Sequence, residues 1–312
     1  MKALSIDLGG THATLAIVDD ATLVAYESMS TDRGKGLQPL LPIFAESFQR
    51  LLSKTGIAPK DCLGVALGFA GLVNARTGRV LSTNEKYDDA LSVDLPAWSQ
   101  QSFGLPFRIE NDARMALLGE CYAGAARGVS DAVMITLGTG IGGAAMIEGK
   151  LLRGKHMQAG CLGGHIPVLF TGRRCTCGNL GCAEAEASGW SLPLLAREWP
   201  GFAQSALAQN KEVGFKELFG HADRGDAVAL AIRERCLHVW SADAVGLVHM
   251  YDPEVIVIGG GVMASASVIL PYVQDYVSKY AWTPWGKVKV CAAALGNHAG
   301  LLGAIPLLTE KI

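Results

Sequence analysis

Between Ala159 and Glu184 the sequence gathers side chains that bind metal. His165 is followed, ten residues on, by Cys175, Cys177 and Cys182 in a C-x-C-x4-C spacing, with Glu184 just beyond. Three thiolates and an imidazole are a tetrahedral zinc set. With all four positions filled by protein the site is structural, because a catalytic zinc keeps one position open. Glycines at 178 and 181 let the loop turn tightly between ligands. The competing reading is a disulfide with a spare thiol, which needs an oxidising compartment, whereas the other features point to a reducing cytoplasm.

A second group of residues suits phosphate. Ala3 to Leu8 is a short apolar run that leads into Asp7-Leu8-Gly9-Gly10-Thr11, and Leu15 to Val18 follows as another apolar run. This reads as strand, glycine turn, strand. The backbone N–H groups of Gly9 and Gly10 can face an anion and Thr11 adds a hydroxyl. Asp7 at a strand end can hold Mg2+ through water; its plainer reading is a solvated turn carboxylate. The pattern recurs about 130 residues later. Val133 to Leu137, the turn Gly138-Thr139-Gly140-Ile141-Gly142-Gly143, Ala144 to Ile147 and a Glu148-Gly149-Lys150 hairpin turn make the second copy. Two such hairpins suggest a duplicated fold that clamps nucleotide phosphates between its halves. The second turn also spells G-x-G-x-x-G, but a dinucleotide fingerprint must open a helix, and Ala144-Ala145-Met146-Ile147 reads as a strand.

Two further strand ends carry candidates. Pro106 to Ile109 runs into Glu110-Asn111-Asp112 ahead of a helix from Ala113 to Ala123. Asp112 could be no more than that helix's cap. The carboxyl end of a strand is, however, where open α/β sheets bind ligands. There Asp112 could accept a hydroxyl proton while Asn111 orients it. Val255 to Ile258 ends in Gly259-Gly260-Gly261, which would let an adenine or ribose approach closely; a tight strand-to-helix turn is the plainer reading.

These sites need a scaffold, and the rest of the chain supplies it. An amphipathic helix is predicted over Gln38 to Leu52, a buried strand over Gly64 to Leu67 ending at Gly68-Phe69-Ala70-Gly71, a long helix over Ala227 to His249 and a terminal helix over Ala299 to Leu308. At 312 residues two domains are expected. Charged residues are 18% of the chain, below the roughly 25% usual in soluble domains, so much surface is buried in a core or a subunit interface. A net charge of -2 without a basic cluster excludes nucleic acid as the main partner. The start MKALSIDLGG lacks a signal core, and the longest uncharged run, Ala132 to Ile147, is too short and glycine-rich to span a bilayer. A soluble cytoplasmic protein is expected. Cys62, Cys121, Cys236 and Cys291 lie in apolar segments and read as small buried hydrophobes.

Taken in order, D-x-G-G-T, E-N-D, L-G-T-G-I-G-G, C-x-C-G-x-x-G-C-x-E and I-G-G-G resemble the ROK family of bacterial sugar kinases and related regulators, over essentially the whole chain. The resemblance implies an α/β, actin-like ATPase (ribonuclease H-like, duplicated) fold, with ATP and sugar in an interdomain cleft. The small domain would be residues 1–113 plus 297–312 and the large domain 114–296. Gly9, Gly10, Thr11, Gly138, Thr139, Gly140, Gly259, Gly260 and Gly261 would hold the nucleotide, with Asp7 near Mg2+. Asp112 would be the catalytic base for a primary hydroxyl, usually at C6. Gly71, Asn84, Asn111, His165 and Glu184 would contact the sugar, His165 serving zinc as well. A homodimer is common in the family. The family's helix-turn-helix regulators carry about 80 extra N-terminal residues, so the kinase is the expected reading and a non-catalytic sensor its rival.

The sequence departs from the family in one place. Before the zinc histidine the family reads A-G-E-x-G-H, whose glutamate binds the C1 and C2 end of the sugar. Here Ala159-Gly160-Cys161-Leu162-Gly163-Gly164-His165 has one residue more and no carboxylate. Cys161 or Leu162 takes the glutamate's place, and neither accepts a hydroxyl's hydrogen bond well. A hexokinase that reads C1 and C2 differently from an ordinary glucokinase is expected; the rival reading is that Glu184 and an ordered water replace the lost contact and give an ordinary glucokinase.

Overall fold

The computed structural model describes residues 1–83 and 86–310. The chain divides into two units. The first holds Met1–Gly128, Leu151–Cys161 and Ala294–Ile312; the second holds Val129–Lys150 and Leu162–Ala293. The first unit therefore keeps the whole helix after Asp112 and recovers an 11-residue segment ahead of the zinc loop, a later division than 113/114.

In unit one, β1 (Lys2–Leu8), β2 (His12–Asp19) and β3 (Thr22–Ser30) form an antiparallel meander. After α1 (Leu40–Thr55), β4 (Cys62–Phe69) pairs parallel to β1. A small hairpin, β5 (Leu72–Asn74) and β6 (Arg79–Ser82), precedes α2 (Leu95–Phe103). Then β7 (Phe107–Asn111) pairs parallel to β4 and runs directly into α3 (Asp112–Ala123). The sheet order is β3-β2-β1-β4-β7. Its core is fully buried apolar side chains, Leu4, Ile6, Leu15, Ile17 and Leu67 among them, packed against Phe44 and Phe48 of α1.

Unit two repeats the plan. The strands β8 (Ala132–Leu137) and β9 (Ile141–Ile147) are antiparallel, followed by the short β10 (Lys150–Leu151). Four helices come next: α4 (Ala183–Ala187), α5 (Leu192–Glu198), α6 (Phe215–Asp223) and α7 (Ala227–Tyr251). The strand β11 (Val255–Gly259) lies parallel to β8, and past α8 (Ala266–Tyr280) the strand β12 (Lys289–Ala292) lies parallel to β11. The order β10-β9-β8-β11-β12 matches that of unit one, strand for strand. The segment after Gly143 is a strand, which removes the dinucleotide fingerprint.

The chain ends back in unit one. The predicted terminal helix is two pieces, α9 (Ala299–Leu302) and α10 (Ala304–Thr309). At the break, α3 lies so close that a Cβ on Gly303 would stand 2.3 Å from the Met115 carbonyl oxygen. Cys62 and Cys236 are buried as expected, whereas Cys121 and Cys291 are only half-buried. Among the described residues no helix is long and apolar enough to cross a membrane.

Candidate active site

The parallel strands of unit one deliver their carboxyl ends to one edge of the sheet. The register sets Asp7 beside Gly68 and Gly68 beside Glu110, then Leu8 beside Phe69 and Phe69 beside Asn111. Asp7 is flanked by residues without side chains: Cβ atoms built on Gly300 and Gly68 would stand 3.3 Å from its Cγ and 3.7 Å from its Oδ1. Burial, and after it the charge of Asp112, pushes the Asp7 pKa up to about 7. A carboxyl in this position gains from a cation, so its chemistry suits a divalent metal.

Asn111 and Asp112 form the junction of β7 and α3. Asn111 is the N-cap: its Oδ1 accepts from the N–H of Ala113 at 3.1 Å and of Arg114 at 3.3 Å. Its Nδ2 donates to Asp112 Oδ1 at 2.9 Å and to the Gly71 carbonyl at 3.2 Å. The cap role weighed for Asp112 thus belongs to its neighbour, although Asp112 Oδ1 also accepts from the Ala113 N–H at 2.8 Å. Burial raises the Asp112 pKa, against the lowering effects of the Ala113 N–H, the Lys86 charge and the Asn111 amide. A carboxyl whose pKa is raised and which an amide holds in place is suited to accept a proton. Gly71, whose carbonyl receives Asn111, joins this group; Asn84 lies outside the described residues.

The β1–β2 turn is held from below. The Gly9 N–H donates to the His12 carbonyl at 2.9 Å, the Tyr87 hydroxyl donates to the Gly9 carbonyl at 2.8 Å, and the exposed Thr11 hydroxyl meets His12 Nδ1 at 3.0 Å.

In unit two the corresponding turn, Gly138 to Gly140, is closed by Gly138 N–H to the Gly140 carbonyl at 3.0 Å. It is tied to the segment after α4 by two backbone bonds, Gly189 N–H to the Gly138 carbonyl and Trp190 N–H to the Thr139 carbonyl, each 2.9 Å. Glu184 on α4 completes the attachment. Its Oε2 accepts from the Ile141 N–H at 2.9 Å and its Oε1 from the Trp190 indole at 3.2 Å. Gly259 ends β11, and Gly260 follows at φ +94°, where a Cβ would stand 2.2 Å from the Leu137 carbonyl oxygen; at Gly261 a Cβ would meet open space. Gly260 therefore lets the β11 end press onto the end of β8, next to the turn.

The four expected metal ligands converge in unit two. One ligand atom from each of His165, Cys175, Cys177 and Cys182 lies within 4.8 Å of the others. His165 Nδ1 is 3.4 Å from Cys175 Sγ, and Cys177 Sγ is 3.6 Å from Cys182 Sγ. Sulfur and nitrogen bound tetrahedrally to zinc stand about 3.5–3.8 Å apart, so donor types and spacing both fit that ion. His165 ends a short 3-10 turn, Gly163–His165. Gly164 seats this turn against β9 so closely that a Cβ would be 2.1 Å from the Ile141 carbonyl oxygen. Where the family carries its glutamate, the Cys161 thiol is buried against the Gln158 carbonyl at 3.4 Å, and Leu162 is 39% exposed.

The ROK family model matches residues 3–311. The chain belongs to the ROK family. It is 30% identical to a glucokinase of Thermotoga maritima, over 100% of this chain and 98% of that protein. Among solved structures it resembles a ROK hexokinase from Thermus thermophilus at 29% identity and TM-score 0.81, covering 98% and 97% of the two chains. It also resembles a ROK family glucokinase from Streptomyces griseus, in complex with glucose and AMPPNP, at 29% identity and TM-score 0.80, covering 98% and 99%. The two matching sheets of this ROK protein are those of the actin-like ATPase fold.

Sequence reasoning missed a buried ionic network beneath the catalytic candidates of this ROK protein. Glu110, fully buried, accepts from Arg114 at 3.2 Å, from Arg153 at 2.6 Å and from the Asn111 N–H at 2.9 Å. Arg153 also reaches Glu310 with two bonds, 2.9 and 2.6 Å, and Arg114 reaches the carbonyls of Met157 and Ala159. The i,i+4 spacing of Glu110 and Arg114 was the one available signal.

Proposed function

We propose that this ROK protein is an ATP-dependent sugar kinase of glucokinase type that moves the γ-phosphoryl group of ATP to the C6 hydroxyl of a hexose. The observation that carries the reading is Asp112, held by the Asn111 amide at 2.9 Å on the strand-end edge with its pKa raised, in a chain similar over its whole length to glucokinases. Asp112 takes the hydroxyl proton and Asn111 fixes the carboxyl that takes it. In unit one Gly9, Gly10 and Thr11, and in unit two Gly138, Thr139, Gly140 and Gly259 to Gly261, hold the nucleotide. Phosphoryl transfer is largely positioning and neutralisation of charge, so these contacts account for most of the rate. Asp7 would hold Mg2+, which neutralises phosphate charge when bound.

His165, Cys175, Cys177 and Cys182 hold a structural zinc that stiffens the loop next to the sugar contacts Glu184 and His165. Asn111 and the Gly71 carbonyl it receives serve the sugar from unit one. A homodimer in the cytoplasm completes the reading; all eight cysteines are free, which accords with a reducing compartment.

Because Cys161 or Leu162 stands where the family carries its glutamate, recognition at C1 and C2 is weaker than in an ordinary glucokinase. An acceptor of that charge contributes roughly 1.5–3 kcal/mol, which is tenfold or more in discrimination. The test is a coupled ADP-release assay with glucose, mannose, 2-deoxyglucose, allose and N-acetylated hexoses. No ADP release with any sugar refutes the kinase. A loss above a hundredfold on removing the 2-hydroxyl of glucose refutes the relaxed recognition.

A further inference from the structure

Between β6 and α2 lies a lysine that the mechanism above does not use. Lys86 is half-buried, and the backbone around it is held at two points. Its N–H donates to the Thr83 carbonyl at 3.1 Å, and the N–H of Tyr87 donates to the Arg33 carbonyl at 3.0 Å. Tyr87 adopts a left-handed backbone at φ +57°, which a bulky side chain rarely does, and such strain collects at functional positions. The buried Tyr87 hydroxyl donates to the Gly9 carbonyl at 2.8 Å and meets the Thr31 hydroxyl at 2.7 Å. This anchors the stretch to the β1–β2 turn. As a result the Lys86 stem lies on that turn: a Cβ on Gly10 would stand 3.7 Å from Lys86 Cε and 3.8 Å from Cδ.

The Lys86 ammonium makes no hydrogen bond or ion pair among the described residues, although it is near enough to Asp112 for its charge to act on that carboxyl. Several cations of unit one pair with carboxylates, Lys2 with Asp19, Arg50 with Glu27 and Arg153 with Glu110 among them; what distinguishes Lys86 is its place on the glycine turn. Among the described residues, charge at this edge comes from Asp7 on β1, Asp112 on α3 and Lys86, with Asp32 and Arg33 acting on the Tyr87 hydroxyl. Two carboxyls repel a phosphate brought to the glycine turn, and one uncommitted ammonium offsets them. A lysine acts on phosphate as a point charge, and fixed cations aimed at a transferring phosphoryl group are a large part of such catalysis.

We propose that Lys86 is a catalytic residue whose ammonium binds the terminal phosphoryl group of ATP during its transfer to the sugar. The proposal rests on the kinase reading. In the step, the sugar oxygen forms a bond to the γ-phosphorus and the bond from that phosphorus to the β–γ bridging oxygen breaks. Its electron pair leaves on ADP, and the hydroxyl proton passes to Asp112. Lys86 exchanges no proton and no bond; it neutralises charge on the non-bridging oxygens.

The test compares Lys86→Met, which keeps the stem and removes the charge, with Lys86→Arg in the full chain. Turnover is measured with the best sugar, and affinity is measured separately for AMPPNP and ADP. Lys86→Met is expected to lower kcat about 10²–10³-fold and to weaken AMPPNP about tenfold or more. ADP affinity and the sugar KM should hold within about threefold, and Lys86→Arg should recover part of the loss. Unchanged kcat overturns the proposal, as does equal weakening of AMPPNP and ADP. A change confined to the acid limb of the pH profile, or to the sugar KM, also overturns it, because the ammonium would then act only on Asp112 or on the sugar. If the wild type phosphorylates no sugar, the kinase reading fails by itself, and the AMPPNP-to-ADP ratio in the two variants still decides whether Lys86 holds a terminal phosphate.

Discussion

Asn111 spends its carbonyl oxygen on capping α3 and its amide on Asp112, so one side chain both starts the helix and aims the carboxyl beside it. Asp112→Asn leaves the Asn111 cap in place. The variant is expected to melt close to the wild type while losing turnover by about 10²–10⁴, the contribution of a general base. Thermal melting and kcat on the same sample check this, and a folded variant with near-normal turnover refutes the assignment.

Asp7 gives a pH dependence with a definite sign. Its pKa is raised from 3.8 to about 7 in the fold, so at intermediate pH the folded state binds more protons than the unfolded. Stability is then highest below the unfolded pKa and declines as pH rises from about 4 to about 7. Asp7→Asn should stabilise the nucleotide-free protein at pH 8 by at least ~1 kcal/mol and flatten that decline, while abolishing turnover. Melting curves across pH 4–8 are the measurement. A variant less stable than the wild type at pH 8 contradicts the prediction.

Cys177→Ser removes one of four metal donors. Structural zinc sites are worth roughly 10–16 kcal/mol apparent in small finger peptides, so the variant should lose bound zinc and melt at lower temperature. Metal analysis of the wild type should give one zinc per chain. Wild-type protein that is stable and free of zinc rules the site out.

Glu184 ties α4 to the glycine turn through Ile141 and Trp190. Glu184→Gln replaces one acceptor oxygen with an amide, and a hydrogen bond to a charged group contributes about 1.5–3 kcal/mol. The KM for ATP is therefore expected to rise about tenfold or more, along with that for sugar. Separate saturation curves for each substrate distinguish this from a pure sugar contact, in which the ATP curve would not move.

How much of this could be read from the chain depended on sequence distance. The turn after Asp7, the turn after Leu137 and the C-x-C-x4-C loop were legible because each is a short run whose residue types demand one local geometry. Asn111 and Asp112 were legible as a strand end, though which of them caps α3 was not, since either side chain can do so. Glu110, Arg153 and Glu310 could not be paired, because 43 and 157 residues separate the partners. The same holds for the Tyr87 hydroxyl on Gly9, 78 residues apart. The terminal helix was read as continuous because close packing on α3 at Gly303 leaves no periodic trace.

The packing of Gly300 against the Asp7 carboxyl has a consequence for biosynthesis. Asp7 leaves the ribosome long before Gly300, whose missing side chain leaves room for its carboxyl. Until Ala294 to Thr309 emerge, α3 lacks the helices that pack against it, and Glu120 lacks the N–H groups of Ala294 and Leu295 that it accepts at 3.0 and 2.9 Å. Unit one therefore cannot complete this flank until all of unit two has been made. Contacts so far apart in sequence slow folding, and a ribosome stalled before Gly300 would hold a growing chain in which Asp7 lacks that neighbour.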